Sequence, residues 1–173
     1  MPLLPTVLAP LHLLTYSTLL GTQLYQSFVM VKIAHTALPY DSFTTLQKRV
    51  FPVYFRSQSL LLLLTAATFP PHGPALRVTQ KGDLVPFIVA GITAALNLMV
   101  FGPKTNRIMM VRKYQAEIDA RKLVEGFVSD EMKKLNRSFS WNHAMSVHLN
   151  LVTIGATLWY GWRLASRLRF ETE

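Results

Sequence analysis

Apolar residues occur along the chain in four long blocks separated by short polar stretches. The blocks cover residues 10–38, 52–69, 84–102 and 139–164, with ends that are approximate. A helix crosses a hydrocarbon core with about 20 predominantly apolar residues, and each block reaches or nearly reaches that length. The pattern therefore predicts an all-α fold, a four-helix transmembrane bundle.

Prolines and glycines mark the predicted ends of these blocks. Pro39 follows the first block, and Pro52 suits the first turn of the second, where a missing N–H is tolerated. Asp83 can cap the third block, and Gly102-Pro103 is a common helix stop. We also predict a short separate helix after Asp41, within the linker between spans one and two.

The segment 103–138 has a different character, because it is highly charged and contains no proline after Pro103. Its apolar residues recur at helical spacing at Val124, Phe127, Val128, Met132 and Leu135. We predict a long, basic, helical cytosolic connection between spans three and four. It either projects into water or lies along the membrane surface.

The composition narrows the class of protein. Half of the 173 residues are hydrophobic, and the four spans leave no room for a soluble domain, so residues 1–173 are predicted to form a single membrane domain. The chain has no cysteine, which excludes thiol chemistry. Its net charge of +9 would suggest nucleic acid in a soluble protein. Here the bases lie between spans, so the expected partner is lipid and no nucleic acid is expected.

The distribution of Lys and Arg predicts the orientation. The 39–51 linker and the 103–138 connection share one side of the membrane and hold eleven basic residues, whereas the other side holds five. Basic loops favour the cytosol. Both termini are therefore predicted to be non-cytosolic.

Polar residues inside the spans are the first candidates for function, because they are costly in lipid. The predicted intramembrane polar core comprises His12, Gln23, Arg56, Asn97, His143 and Asn150. In span four, helical spacing puts a polar stripe on one face: His143, Ser146, Asn150, Thr153 and Thr157. The alternatives are structural: amides can bond across the bundle, Arg56 can extend to headgroups, and the histidines can be packing groups.

Motifs for known catalytic chemistry are absent from the sequence. There is no HExxH, no P-loop, no GxSxG and no acidic residue inside a predicted span. We predict no catalytic residue and a non-enzymatic role. His12 and His143 should lie more than about 10 Å apart along the membrane normal, so one metal cannot readily join them. No metal site and no cofactor are predicted, although haem bound between helices remains the alternative hypothesis.

The basic connection is the predicted interaction surface. It carries nine bases against five acids between Lys104 and Arg137. This excess favours anionic lipid headgroups or the acidic face of a protein partner. The residues predicted to make these contacts are Arg112, Lys113, Arg121, Lys122, Lys133 and Lys134.

Short blocks across the chain resemble the transmembrane protein 205 family. They are His12-Leu13-Leu14, Gly21-Thr22-Gln23, Ser27-Phe28-Val29, Leu38-Pro39, Leu46-Gln47, Phe51-Pro52-Val53-Tyr54-Phe55, Pro103-Lys104-Thr105, and His143 with Ser146 and Asn150. The resemblance implies a small four-span domain of undefined activity. It also implies a eukaryotic protein of the endomembrane system or cell surface, with matching polar positions at His12, Gln23, Gln47, Asn97, His143 and Asn150.

Two functional hypotheses follow. The first is a multi-pass membrane protein of the endoplasmic reticulum or plasma membrane that serves transport, trafficking or assembly through its polar core. The alternative is a haem- or metal-binding membrane redox protein that uses its intramembrane histidines.

Overall fold

The computed structural model describes residues 3–70, 73, 81–121 and 128–167, and the side-chain surroundings of these residues from 7 onward except residue 81. These residues form four long helices and no strand. Helix α1 covers 3–37, α2 covers Tyr40–Ala67, α3 covers 81–120 and α4 covers Asp130–Ala165. The all-α prediction is confirmed.

The first two helices form a hairpin with a very short connection. Leu38 is extended, with φ −112° and ψ 142°, and Pro39 is the N-cap residue of the next helix. The predicted separate linker helix is wrong, because α2 runs without interruption from Tyr40 through Pro52 to Ala67. Pro52 therefore lies inside a helix of 28 residues rather than in a first turn. Interior prolines are tolerated where neighbouring helices stabilise the surrounding backbone.

Helix α3 also continues through its predicted stop. A wide π-helical turn, Asn97–Phe101, precedes Gly102-Pro103, and the Gly102 N–H donates to the Asn97 carbonyl. We attribute the continuity to this turn, because the extra residue accommodates a proline ring that would otherwise crowd the preceding carbonyls. Gly102 is also needed here, since a Cβ would lie 2.5 Å from the Asn97 carbonyl oxygen. A second π-helical turn, Tyr25–Met30, lies within α1.

The 103–138 connection is largely an extension of helices α3 and α4. Helix α3 continues to Ala120, and α4 starts at Asp130 and packs against it. The Ser129 side chain caps α4 by accepting from the Met132 N–H. Asp119 accepts from the Ser129 N–H at 3.1 Å and from its hydroxyl at 2.7 Å, which ties the two helices together. The described part of the connection is thus a helical hairpin.

The bundle is polar inside and apolar outside. The side chains with less than 2% exposure include His12, Gln23, Gln58, Asn97 and Thr153. The outer faces of all four helices instead present large apolar residues, among them Leu14, Leu63, Met99 and Leu158. The interior apolar packing is modest and rests on Leu19, Leu62, Ala90, Ala94 and Ala156. This is the reverse of the usual distribution in water-soluble proteins.

Two of the described helices, Tyr40–Ala67 and Gly82–Ala120, are long and apolar enough to cross a membrane. This criterion does not confirm the four predicted spans. Helices α1 and α4 nevertheless present large apolar residues on their outer faces. The two apolar helices agree with membrane association.

Candidate functional site

A closed hydrogen-bond network joins three helices in the bundle interior. The Tyr54 hydroxyl of α2 donates to Asn150 Oδ1 of α4 at 2.8 Å, and Gln58 Nε2 donates to the same oxygen at 3.1 Å. Asn150 Nδ2 donates to Ser27 Oγ of α1 at 2.8 Å. Asn150 therefore holds α1 and α2 against α4.

Polar contacts between α3 and α4 lie beside this network. Asn97 Nδ2 donates to the Ser146 carbonyl at 2.9 Å, and the hydroxyls of Thr93 and Thr153 lie 2.7 Å apart. Thr153 is fully buried. Each hydrogen bond across a membrane bundle contributes about 0.6 to 2 kcal/mol. These contacts fix the alignment of α3 and α4 along their axes.

His12 lies near the other end of the bundle, where it joins α1 to α2 and α4. Its Nε2 is 2.5 Å from the Tyr160 hydroxyl and its Nδ1 is 3.3 Å from Thr68 Oγ1. The ring is 1% exposed and makes edge contacts with Phe69 and Tyr160. Both ring nitrogens are thus occupied by side chains of the protein.

A buried carboxylate lies in the first turn of α3 at the same end. Asp83 is 1% exposed and accepts from Arg163 Nε at 2.6 Å and from Arg167 Nη1 at 2.6 Å. Burial alone would raise the pKa of Asp83, but hydrogen bonds and charge from Arg167 and Arg163 outweigh it and lower the pKa. The predicted capping residue is therefore an ion-pair centre that joins α3 to α4.

Several buried amides have atoms without a hydrogen-bond partner among the described residues. Gln23 is 0% exposed, and neither its Nε2 nor its Oε1 is paired. Gln58 Oε1 and Asn97 Oδ1 are unpaired as well. An unpaired buried polar atom costs about 1 to 3 kcal/mol, so a native structure normally satisfies it with water or a ligand. The interior therefore has neutral donors and acceptors that no described side chain satisfies.

Two residues predicted for the polar core lie elsewhere. The structure places Arg56 and His143 on the exposed surface of the bundle, and His143 stacks on Phe139 with centroids 5.4 Å apart. Asn142, which is 2% exposed, takes the inward position in α4. The inward stripe is Asn142, Ser146, Asn150, Thr153 and Thr157, with spacings of three and four residues. His12, Gln23 and Asn97 are buried in the interior, and Asn150 is half-buried.

The basic residues of the hairpin differ in their surroundings. Arg112 donates to Asn136 Oδ1 at 2.8 Å and lies over the Phe139 ring. Lys133 pairs with Asp130 and Lys134 with Glu131. Lys113 lies 3.9 Å from Asp41, Arg121 is exposed, and Lys122 is outside the described residues. Arg112 thus contributes to hairpin packing, whereas Arg121 presents its charge to the surroundings.

Sequence reasoning did not assign Tyr54 or Asp83 to these networks and did not turn Asn142 inward. It counted Gln58 among the polar residues of span two but not in the polar core, and it treated Tyr54 as an ordinary residue of a predicted apolar span. Their spacing of four residues in α2 could have indicated a shared face. Asp83 and Asn142 needed knowledge of which helices are neighbours. Among the described residues, no group of three or more His, Cys, Asp or Glu side chains is arranged to hold a metal ion.

Comparison of the sequence with known proteins identifies its family. Residues 14–114 match the domain of unknown function DUF4149, which covers more than half of the chain. Xanthocillin biosynthesis cluster protein D of Aspergillus fumigatus is 44% identical over 161 residues, covering 93% of this chain and 91% of that protein. No solved structure matches the chain. The chain belongs to the DUF4149 family.

Proposed function

We propose that this protein is a four-span membrane protein that binds a small polar organic molecule between its helices, in the service of transport, trafficking or assembly. The observation that supports this proposal most strongly concerns Gln23. Its side-chain amide is fully buried, and both of its polar atoms are unpaired among the described residues. Neutral donors and acceptors in a protein interior suit an uncharged, hydrogen-bonding solute.

The four-span arrangement is supported by the exposed faces of α1 and α4. Leu14 is 65% exposed on α1, and Leu151, Val152 and Leu158 are each more than 40% exposed on α4. Large apolar faces on all four helices would be unstable in water and are stable in lipid. Buried polar side chains of these helices, such as Gln23 and Thr153, point to the protein interior instead.

A role in small-molecule metabolism has support from the relative. Its name assigns it to the xanthocillin biosynthesis cluster, and this chain matches it over nearly its whole length. The described interior offers hydrogen-bonding amides and hydroxyls. A binding role for a biosynthetic compound, substrate or product, fits this interior better than a role in bond-breaking chemistry.

The binding role is tested by comparing wild-type protein with Gln23→Met. Protein purified in mild detergent is extracted with organic solvent, and the extracts are analysed by mass spectrometry. We expect a small polar compound in the wild-type extract that is lost in Gln23→Met. Gln47→Met is the matched control, because Gln47 is also buried with both amide atoms unpaired but lies before the span-two block. Identical extracts from all three proteins would overturn the binding role.

The redox alternative requires His12 to coordinate haem or a metal. Because both ring nitrogens contact Tyr160 and Thr68, coordination of haem or a metal would have to break one of these contacts. An absorption spectrum with metal analysis of wild type and His12→Ala decides between the two. A Soret band or stoichiometric metal lost in His12→Ala would establish the alternative and remove the first proposal.

We further propose a cytosolic hairpin, non-cytosolic termini and residence in the endoplasmic reticulum or plasma membrane. The charge difference between the two sides supports this orientation. Arg121, with Lys113 and Lys122, is the proposed contact with anionic lipid or an acidic partner. The resemblance to the transmembrane protein 205 family stays a prediction that agrees with this arrangement.

A further inference from the structure

A groove with a volume of about 660 Å³ opens on the outer surface between α1 and α2. Its walls are mainly apolar. The residues that matter for its chemistry are Gly21, Tyr25, Gln26, Arg49 and Val53. The groove thus combines an apolar channel with one cation and one amide.

The cation stands at one end of the groove. Arg49 is exposed and has no ion pair with any residue that the structure describes. It precedes Val53 by one helical turn, about 6 Å at the helical rise, toward the connection at Pro39. An arginine in this position can bind a phosphate through two parallel hydrogen bonds.

The amide lies deeper and lacks a partner. Gln26 is 8% exposed, and its Nε2 donates to no group in the described part of the chain. It belongs to the π-helical turn Tyr25–Met30, a type of distortion that is frequent at functional sites. A buried donor without a partner is costly, and Gln26 is one of the residues that line the groove.

We propose that this groove binds an anionic phospholipid. Arg49 contacts the headgroup phosphate, Gln26 Nε2 donates to an ester carbonyl, and an acyl chain lies along the apolar walls. The inference rests on the proposed four-span arrangement, which puts the Arg49 end at the cytosolic leaflet. That leaflet carries the anionic lipids, so phosphatidylserine is the natural occupant.

Native mass spectrometry tests the site. Purified protein is incubated with equal amounts of phosphatidylserine and phosphatidylcholine, and the retained lipid is counted. We expect about tenfold preference for phosphatidylserine, because both lipids carry the phosphate but only phosphatidylserine keeps a net negative charge beside the Arg49 guanidinium. Arg49→Gln should abolish the preference. Lys48→Gln makes the same charge change at a residue that does not line the groove, and should leave the preference intact.

A second pair of variants tests the groove itself. A side chain at Gly21 would extend into open space, so Gly21→Leu should fill the groove and reduce bound phosphatidylserine several-fold. Gly155→Leu also enters open space but on α4, and should have no effect. Equal retention of both lipids by wild type, or equal loss in Arg49→Gln and Lys48→Gln, would overturn the site. The membrane topology is measured separately, so this failure would leave the four-span proposal intact.

Discussion

The Tyr54 hydroxyl donates a hydrogen bond of 2.8 Å to Asn150 Oδ1 and thereby joins α2 to α4 across the bundle interior. Asn150 also accepts from Gln58 and donates to Ser27. One amide therefore organises three helices. The consequence is that stability should depend on polar contacts at this position more than on apolar packing nearby.

Tyr54→Phe tests this dependence. The variant removes the hydroxyl and leaves Asn150 with one donor fewer, so we expect a loss of about 1 kcal/mol in the free energy of unfolding. Thermal unfolding in detergent measures it. Tyr114→Phe is the control, because Tyr114 is 66% exposed and should tolerate the change. An equal effect of the two variants would show that the network contributes nothing.

Replacing the Gln23 amide should not lower stability, in contrast to removing the Tyr54 hydroxyl. Its amide makes no hydrogen bond among the described residues, so Gln23→Met in ligand-free protein removes an unpaired group and should keep or raise stability by about 1 kcal/mol. Asn150→Leu, in contrast, should be strongly destabilising because it breaks three hydrogen bonds. Thermal unfolding of both variants provides the comparison. A large loss in Gln23→Met would mean that the amide is structural.

Asp83 makes stability depend on pH. Its folded pKa is below the ordinary value of 3.8, so its stabilisation is present above about pH 4 and is lost as the pH falls through the folded pKa. Asp83→Asn should cost about 2 kcal/mol at neutral pH and lose less than wild type on acidification. Stability measured from pH 7 to pH 3 tests this. The control is Asp130→Asn, whose side chain is 86% exposed; matching pH profiles for the two variants would contradict the account.

Gly161 allows α4 to approach Tyr16. A Cβ at this position would overlap the Tyr16 hydroxyl, whereas a Cβ at Gly155 would meet nothing within 4 Å. Gly161→Ala should therefore cost about 1 to 3 kcal/mol, and Gly155→Ala should be neutral or stabilising by up to about 1 kcal/mol. The two melting temperatures decide the point. If both variants gain stability, the close contact is not required.

The sequence was sufficient for the helical class and for the inward positions of His12, Gln23 and Asn97. These follow from helical periodicity and from the cost of polar groups in lipid. It was insufficient where one residue of rotation decides the outcome: Asn142 and His143 differ by about 100° around the helix, and the structure turns Asn142 inward.

Other features depended on the three-dimensional context. Helix breaking at Gly102-Pro103 was expected from local propensity, but the π-helical turn before it keeps α3 continuous. The pairing of Asp83 with Arg163 joins residues 80 positions apart, and nothing local in the sequence indicates it. The local backbone of the π-helical turn decided the first case, and a tertiary ion pair decided the second.

The central claim, four spans around a polar interior, is tested most directly by cysteine accessibility. The chain has no cysteine of its own, so single substitutions can be labelled without background. In sealed microsomes, Glu117→Cys should react with a membrane-impermeant maleimide, and Ser166→Cys should react only after permeabilisation. Denatured samples establish that each thiol is reactive.

The outer-face positions of the four helices give the decisive result. Leu14→Cys on α1 and Leu158→Cys on α4 should be as protected as Leu63→Cys on α2 and Met99→Cys on α3, because lipid covers all four. Reaction of Leu14→Cys and Leu158→Cys at the rate of Glu117→Cys, with the α2 and α3 positions still protected, would show a two-span protein and contradict the account.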